Sequence, residues 1–365
     1  MKYLPVICFA LIPFGLWGLN IFYGHVNTLI LSALLIIFIG KTDNDYPINN
    51  WIRLFGVYYC AWVIFNYLLA FFKLATLSTL FFALNDSIFI IITGIIFFMS
   101  IYRGDVSFKV WANVICAVAT IEAILAIMQY QGFDPIVMLL RNCVDLVSQT
   151  GSNVPAGTLG NQNFLAAFLA ISFPIFLRKG KHTASRMNLP TRWVIALPII
   201  AYALFISNTT AAIGALLVGL AFFYGGIKWA VFSIVPAFII YALKYQGALF
   251  TNARFEYWHN AWLSTSSTWY TFLFGWGPGI TWQSGNMLHS EYVNTFFNFG
   301  FIGVAFLLCY LISITWKSTN RYLQTAVLII AVNILGNHAF HLVSTGVLAI
   351  VIFALIEREK REVSV

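Results

Sequence analysis

Charge is what this 365-residue chain has least of: 20 basic and 12 acidic side chains make up 9% of it, against roughly 25% in an ordinary soluble domain. So few charges cannot cover a surface in water, which excludes a soluble globule. The basic residues form no stripe that could follow a phosphate backbone; the net +8 is spread along the chain, and nucleic-acid binding is excluded as a main role. Cysteine is scarce as well. Four of the five (Cys8, Cys60, Cys116, Cys309) fall in apolar runs and only Cys143 in a polar loop, so no disulfide is expected. There is no aspartate-rich motif, no low-complexity tract and no pair of self-similar halves of the kind that marks an inverted-repeat transporter.

What is present is apolar: 61% of the residues, with 35 phenylalanines, 17 tyrosines and 12 tryptophans. Runs long enough to cross a bilayer, at about 20 residues each, lie near 3–22, 27–40, 53–72, 84–102, 107–130, 162–178, 192–207, 209–224, 227–243, 292–316, 322–337 and 341–356. The expected fold is all-α, a polytopic integral membrane protein of about twelve transmembrane helices forming a single membrane domain over 1–365. The first run follows Lys2 and has no small-residue cleavage site, so it reads as a retained membrane helix. With both termini cytoplasmic, every basic residue except Lys73, Arg141, Lys244 and Arg254 falls on the inner face, as the positive-inside bias requires. A further span near 74–84 would throw the basic 178–192 segment outside.

Two connectors are too long to be mere links, 131–161 and above all 244–291, the large loop between spans nine and ten. Both fall on the outer face, where function is expected. Five of the six histidines (His25, His259, His289, His338, His341) map to that side and only His182 to the other. A neutral imidazole there is ready to accept a proton, although an interfacial histidine is the plainer reading of any one of them. His338 and His341 as metal ligands lack an accompanying cysteine or carboxylate.

Within the large loop, Arg254, Trp258, Ala261 and Trp262 share one face of a helix that can lie in the interface with its tryptophans at headgroup level. Arg254 reads either as a headgroup anchor or as a diphosphate clamp, since guanidinium pairs bidentately with phosphate oxygens. Gly275, Gly277 and Gly279 around Trp276 and Pro278 form a tight turn. It lacks the flanking strand and helix of a dinucleotide fingerprint. A second glycine turn, Gly157 to Phe164, opens span six, where Asn161 either caps the helix or, with Asn163, faces a sugar-filled cavity. Glu122 is the one carboxylate well inside an apolar run. It reads as a proton relay or as a group paired with a neighbouring helix.

The run Gly157-Thr-Leu-Gly-Asn-Gln-Asn-Phe-Leu-Ala166, Arg254 with Trp258, the Gly275 to Gly279 turn, and His289-Ser-x-Tyr292 followed by Gly300 and Gly303 together resemble the O-antigen ligase and polymerase superfamily. The resemblance covers most of the chain. It implies transfer of a glycan from an undecaprenyl diphosphate carrier to a lipid or glycan acceptor on the outer face of a bacterial inner membrane, most closely as a ligase to the lipid A core. A polysaccharide polymerase and a protein O-oligosaccharyltransferase are the alternatives within the superfamily, and a bicarbonate-like anion transporter is the alternative outside it.

The resemblance further implies His289 as general base and Arg254 as diphosphate holder, with Asn161, Asn163, Tyr292, Trp258, Thr209 and Thr210 at the substrate. No cofactor and no metal are expected. The partners would be the donor, the acceptor and membrane lipids, with no nucleic acid. The family often carries a second arginine after a serine near the outer turn between spans seven and eight. Here the chain reads Ser207-Asn-Thr-Thr-Ala211, so Lys73, Arg141 or Lys244 substitutes for that cation, or hydroxyls serve.

Overall fold

A computed structural model describes residues 3–11, 94–135, 154–177, 192–245, 253–276, 290–337 and 343–364. The described residues are helical throughout apart from short connectors, and no strand occurs among them. The helices are α1 (Leu4–Leu11), α2 (Gly94–Arg103), α3 (Phe108–Tyr130), α4 (Gln162–Phe176), α5 (Arg192–Ile206), α6 (Thr210–Gly225), α7 (Ile227–Tyr245), α8 (Ala253–Thr265), α9 (Trp269–Phe274), α10 (Glu291–Lys317), α11 (Arg321–Asn333) and α12 (Val343–Ser364). Most of them fall on the apolar runs, while α8 and α9 lie inside the 244–291 connector. The runs at 27–40 and 53–72 lie outside the described residues, as do the 74–84 stretch and Cys60, Cys143, His25, His182, His338 and His341.

Two helices, α3 and α10, are long and apolar enough to cross a membrane. At 1.5 Å per residue the 23 residues of α3 span about 34 Å, against a hydrocarbon thickness of about 30 Å. Helix α4 is apolar on all sides, and Leu165, Ala166, Phe168, Leu169, Ala170 and Ile171 are wholly buried. An all-round apolar helix belongs at the centre of a bundle, and α4 is surrounded by α3, α5, α6, α11 and α12. Outward faces stay apolar too: Phe205 on α5 is 75% exposed and Phe232 on α7 is 74% exposed. That is the opposite of what water selects. Helices α6 and α11 close tightly because Gly219 has no side chain; a Cβ there would lie 2.3 Å from Ile329, and small residues permit such approach between apolar helices.

The two ends of the bundle differ in chemistry. At one end Arg358 of α12 donates to the carbonyl of Val106 just before α3, and Arg321 of α11 donates to the carbonyl of Phe222 in the last turn of α6. Its guanidinium also lies 4.0 Å over the Phe222 ring, a cation–π contact. Lys317 pairs with Glu357 at 3.5 Å, while Ser318 and Thr319 donate to Glu359 at 2.8 and 2.6 Å. At the opposite end, where α4, α6 and α10 begin and α3, α5 and α11 finish, amides and hydroxyls predominate, together with the carboxylates of Glu122, Asp134 and Glu291.

Helix α10 is broken at Gly300 (φ 64°, ψ −165°), a region essentially confined to glycine. The break receives the end of α9. A Cβ on Gly300 would lie 2.3 Å from the carbonyl carbon of Leu273, and one on Gly275 (φ 73°) would lie 2.5 Å from that of Asn298. The two glycines thus face each other's backbone, and the Trp276 N–H donates to the Phe297 carbonyl at 2.8 Å. Aromatic rings seal the joint: Trp262 of α8 stacks on Phe296 (5.1 Å, 19°), and Phe272 of α9 stacks on Phe301 (5.9 Å, 8°).

Replacing Gly300 by alanine adds both backbone strain and a clash with a main chain that cannot move aside. The expected loss is about 3 kcal/mol or more, read as a lower unfolding midpoint in detergent. Gly214→Ala is the control: its Cβ would meet only Ala237 at 3.7 Å, and the midpoint should hold or rise.

Candidate functional site

The amide-rich end is assembled from the starts of α4, α6 and α10. Asn161 is the N-cap of α4, and its Oδ1 accepts from the Asn163 N–H at 2.8 Å; the capping role expected of it is therefore observed. Asn163, two residues on, turns its Oδ1 toward α6 and accepts from the Thr209 hydroxyl at 3.2 Å. Thr209 stands at the N-cap position of α6 but makes no side-chain cap hydrogen bond, because its hydroxyl is directed to Asn163 and to the Ser207 carbonyl. It follows Asn208, which adopts φ 53°, a conformation asparagine tolerates. Thr210 is the first residue of α6 and half-buried. The structure thus brings Asn161, Asn163, Thr209 and Thr210 together.

The glycine turn before α4 is held from beneath by α3. Glu122, 0% exposed, accepts from the Thr158 N–H at 2.8 Å and also from the Thr158 hydroxyl. One turn-pair further along the same face, the Oε1 of Gln129 accepts from the N–H groups of Ala156 (3.0 Å) and Gly157 (2.7 Å), and its Nε2 donates to the Gly157 carbonyl (3.0 Å) and to Asp134 (3.1 Å). Gly157 has φ +59°, and a Cβ there would lie 2.2 Å from the Glu122 carboxylate. Only glycine fits.

The start of α10 docks on the end of α11. Ser290 is the N-cap, accepting from the Val293 N–H at 3.4 Å, and the Glu291 N–H donates to the Ile334 carbonyl at 2.9 Å. Tyr292 is directed to α11, its hydroxyl donating to the Ala331 carbonyl at 3.1 Å, rather than to Asn161 or Asn163. Two asparagine pairs at i, i+4 line this region. Asn298 donates to Asn294 and Asn337 to Asn333, each at 3.1 Å. The Nδ2 of Asn333 is buried and has no hydrogen-bond partner among the described residues.

Trp258 lies half-buried on α8, and the neighbouring Ala261 is 4% exposed where α8 meets α10. Arg254 is in the first turn of α8; its side chain lies outside the described residues, as do His289, Gly277, Gly279, Lys73, Arg141 and the Lys244 side chain. His289 is the residue before the Ser290 cap. No group of three or more metal-ligating side chains occurs among the described residues.

The contributions of Gln129, Thr158, Ser290, Asn333 and Asn337 were not read from the sequence. One signal was available: Glu122 and Gln129 stand seven residues apart, two helical turns, inside an otherwise apolar run. No protein-family model and no curated protein matches the chain.

The contact between Asn163 and Thr209 is testable by a double-mutant cycle. Asn163→Ala and Thr209→Val should show a coupling of about 0.5 to 1.5 kcal/mol in unfolding free energy. Strictly additive losses would mean that the two side chains do not meet.

Proposed function

We propose that this chain is a polytopic inner-membrane glycosyltransferase of the O-antigen ligase type, moving a glycan from a polyprenyl diphosphate to an acceptor hydroxyl at the amide-rich end of the bundle. The observation that carries this reading is the segregation of the two ends. Cations that cap helix carbonyls sit at one end, as expected of a cytoplasmic face, and amides, hydroxyls and helix starts sit at the other. Planar amides and hydroxyls are the groups that hydrogen-bond a sugar without demanding a charge on it. The twelve-span topology and the cytoplasmic termini belong to the same proposal, supported by the outward apolar faces of α5 and α7.

In this reading His289 is the base that takes the acceptor proton, and Arg254 neutralises the departing diphosphate. A positioned base contributes roughly 10² to 10⁴ in rate, and loss of one preorganised contact to developing charge costs about 2.7 to 4 kcal/mol. Where the family often has a second arginine, this chain has the start of α6 with no side-chain cap. Its oriented N–H groups supply partial positive charge beside Asn163, an alternative to recruiting Lys73, Arg141 or Lys244.

Two measurements test the reading. In a reconstituted assay with a lipid-diphosphate donor, His289→Gln should bind donor and lose turnover, and Arg254→Ala should weaken donor binding as well, because the diphosphate is charged in the ground state and more so in the transition state. Full transfer by the first variant across neutral pH would reject the base, and unchanged donor affinity in the second would reject the clamp. In cells, loss of the gene should leave lipid-linked polymer unattached; accumulation of single repeat units instead identifies a polymerase.

Topology is tested separately. In a cysteine-free background, His182→Cys and Ser266→Cys should label from opposite sides, with 266, exposed after α8, reached by an impermeant reagent from outside. Labelling of both from one side would remove the membrane placement of the site.

A further inference from the structure

Glu122 is a buried titratable group that the proposed chemistry does not use, and its surroundings give it a specific task. Both carboxylate oxygens are engaged by Thr158, one by the backbone N–H and one by the hydroxyl. Gln129 fastens Ala156 and Gly157 by three further hydrogen bonds. Ala156 (0% exposed) and Leu159 (3%) flank Gly157 and Thr158, so the backbone groups of this turn lie inside the bundle, where water is not available to satisfy them. The turn ends at Gly160 (φ +74°), and the next residue is the Asn161 cap, followed by Asn163 with its contact to Thr209.

A proton relay requires a second group that can take the proton onward. Along its own helix the side chains flanking Glu122 on the buried face are Val118, Ala119, Ala123 and Ala126, and among the described residues its hydrogen-bond partner is Thr158. We propose that Glu122 and Gln129 are positioning residues: through Thr158 and Gly157 they fix the turn that sets Asn161 and Asn163 against Thr209, and the carboxylate acts as a hydrogen-bond acceptor rather than as a proton carrier. The effect on catalysis rests on the glycan-transfer reading; the latch between α3 and the turn does not.

The latch predicts which replacement is tolerated. A glutamine at 122 can accept from the Thr158 N–H through its Oε1 and donate to the Thr158 hydroxyl through its Nε2, whereas alanine removes both contacts between α3 and Thr158. With full-length protein in lipid nanodiscs and a lipid-diphosphate glycan donor, Glu122→Gln and Thr158→Ser should remain near wild-type. Glu122→Ala and Thr158→Val should lose up to about 100-fold in kcat/KM, the scale of an ångström-sized misplacement. Adding Asn163→Ala to Glu122→Ala should cost little more, since the two act through one contact. In parallel, hydrogen exchange at the Gly157 and Thr158 amides should be slow in wild-type and Glu122→Gln and fast in Glu122→Ala.

Should Glu122→Ala fail to fold, the Thr158→Val and Thr158→Ser pair carries the same comparison. Glu122→Gln as inactive as Glu122→Ala would overturn the proposal in favour of a required charge or proton, and unchanged kinetics in Glu122→Ala would overturn it as well. If wild-type protein transfers no glycan, the exchange measurement still decides the latch: protection lost in Glu122→Ala sustains it while the functional reading falls, and protection retained refutes it.

Discussion

Everything in this bundle depends on finding protein partners for backbone groups that apolar packing has cut off from water. Inside a helix the problem solves itself; at turns it does not. At the charged end, Arg358 and Arg321 reach carbonyls 252 and 99 residues away in sequence. At the other end, Glu122 and Gln129 satisfy the 156–158 turn. Where side chains are long and cationic the solution is a guanidinium on a carbonyl; where the turn offers N–H groups it is a carboxylate or an amide oxygen. The sign of the unsatisfied backbone group therefore decides which side chain stands opposite it.

This division explains what was legible in the sequence. The positions of α3, α4, α6 and α10 were, because each follows from an apolar run and begins and ends within a few residues of it, whereas α8 and α9 fall in the 244–291 connector that no such run marks. The Asn161 cap was also legible, since a cap and the N–H it accepts are two residues apart. The partners of Gln129 and Glu122 were not: they lie 27 to 36 residues away, and nothing local selects one turn over another. Gly275 and Gly300 were noticed as a turn and a motif, yet their reciprocal contact depends on the docking of α9 onto a kink in α10. Tyr292 illustrates the same limit from the other side. Its position at the start of a long apolar helix was legible, but its hydroxyl turns to α11, a choice made by packing.

Helix α11 is the element shared by two groups of helices. On one flank it packs against α4 and α6, and on the other against α10. The amide wall of Asn161, Asn163 and Thr209 belongs to the first group. The second group is the first half of α10 with α8 and α9, joined by the Gly275–Gly300 contact and the Trp262–Phe296–Phe272 rings. Residue 289 precedes the α10 cap and Arg254 opens α8, so the proposed base and clamp are both carried by this second group.

In the proposed transfer the amide wall would orient the sugar and the second group would act on its diphosphate. Breaking α10 at Gly300 (φ 64°, ψ −165°) turns residues 291–299 out of line with the apolar remainder of that helix, and the backbone contact with Gly275 holds them there, while the Ser290 hydroxyl and the Glu291 N–H tie them to the Ile334 carbonyl of α11. The turn that opens the wall is held by α3 through Glu122 and Gln129, and the second group is held by α11. Two supports with different origins meet at one end of the bundle, and α11 packs against both.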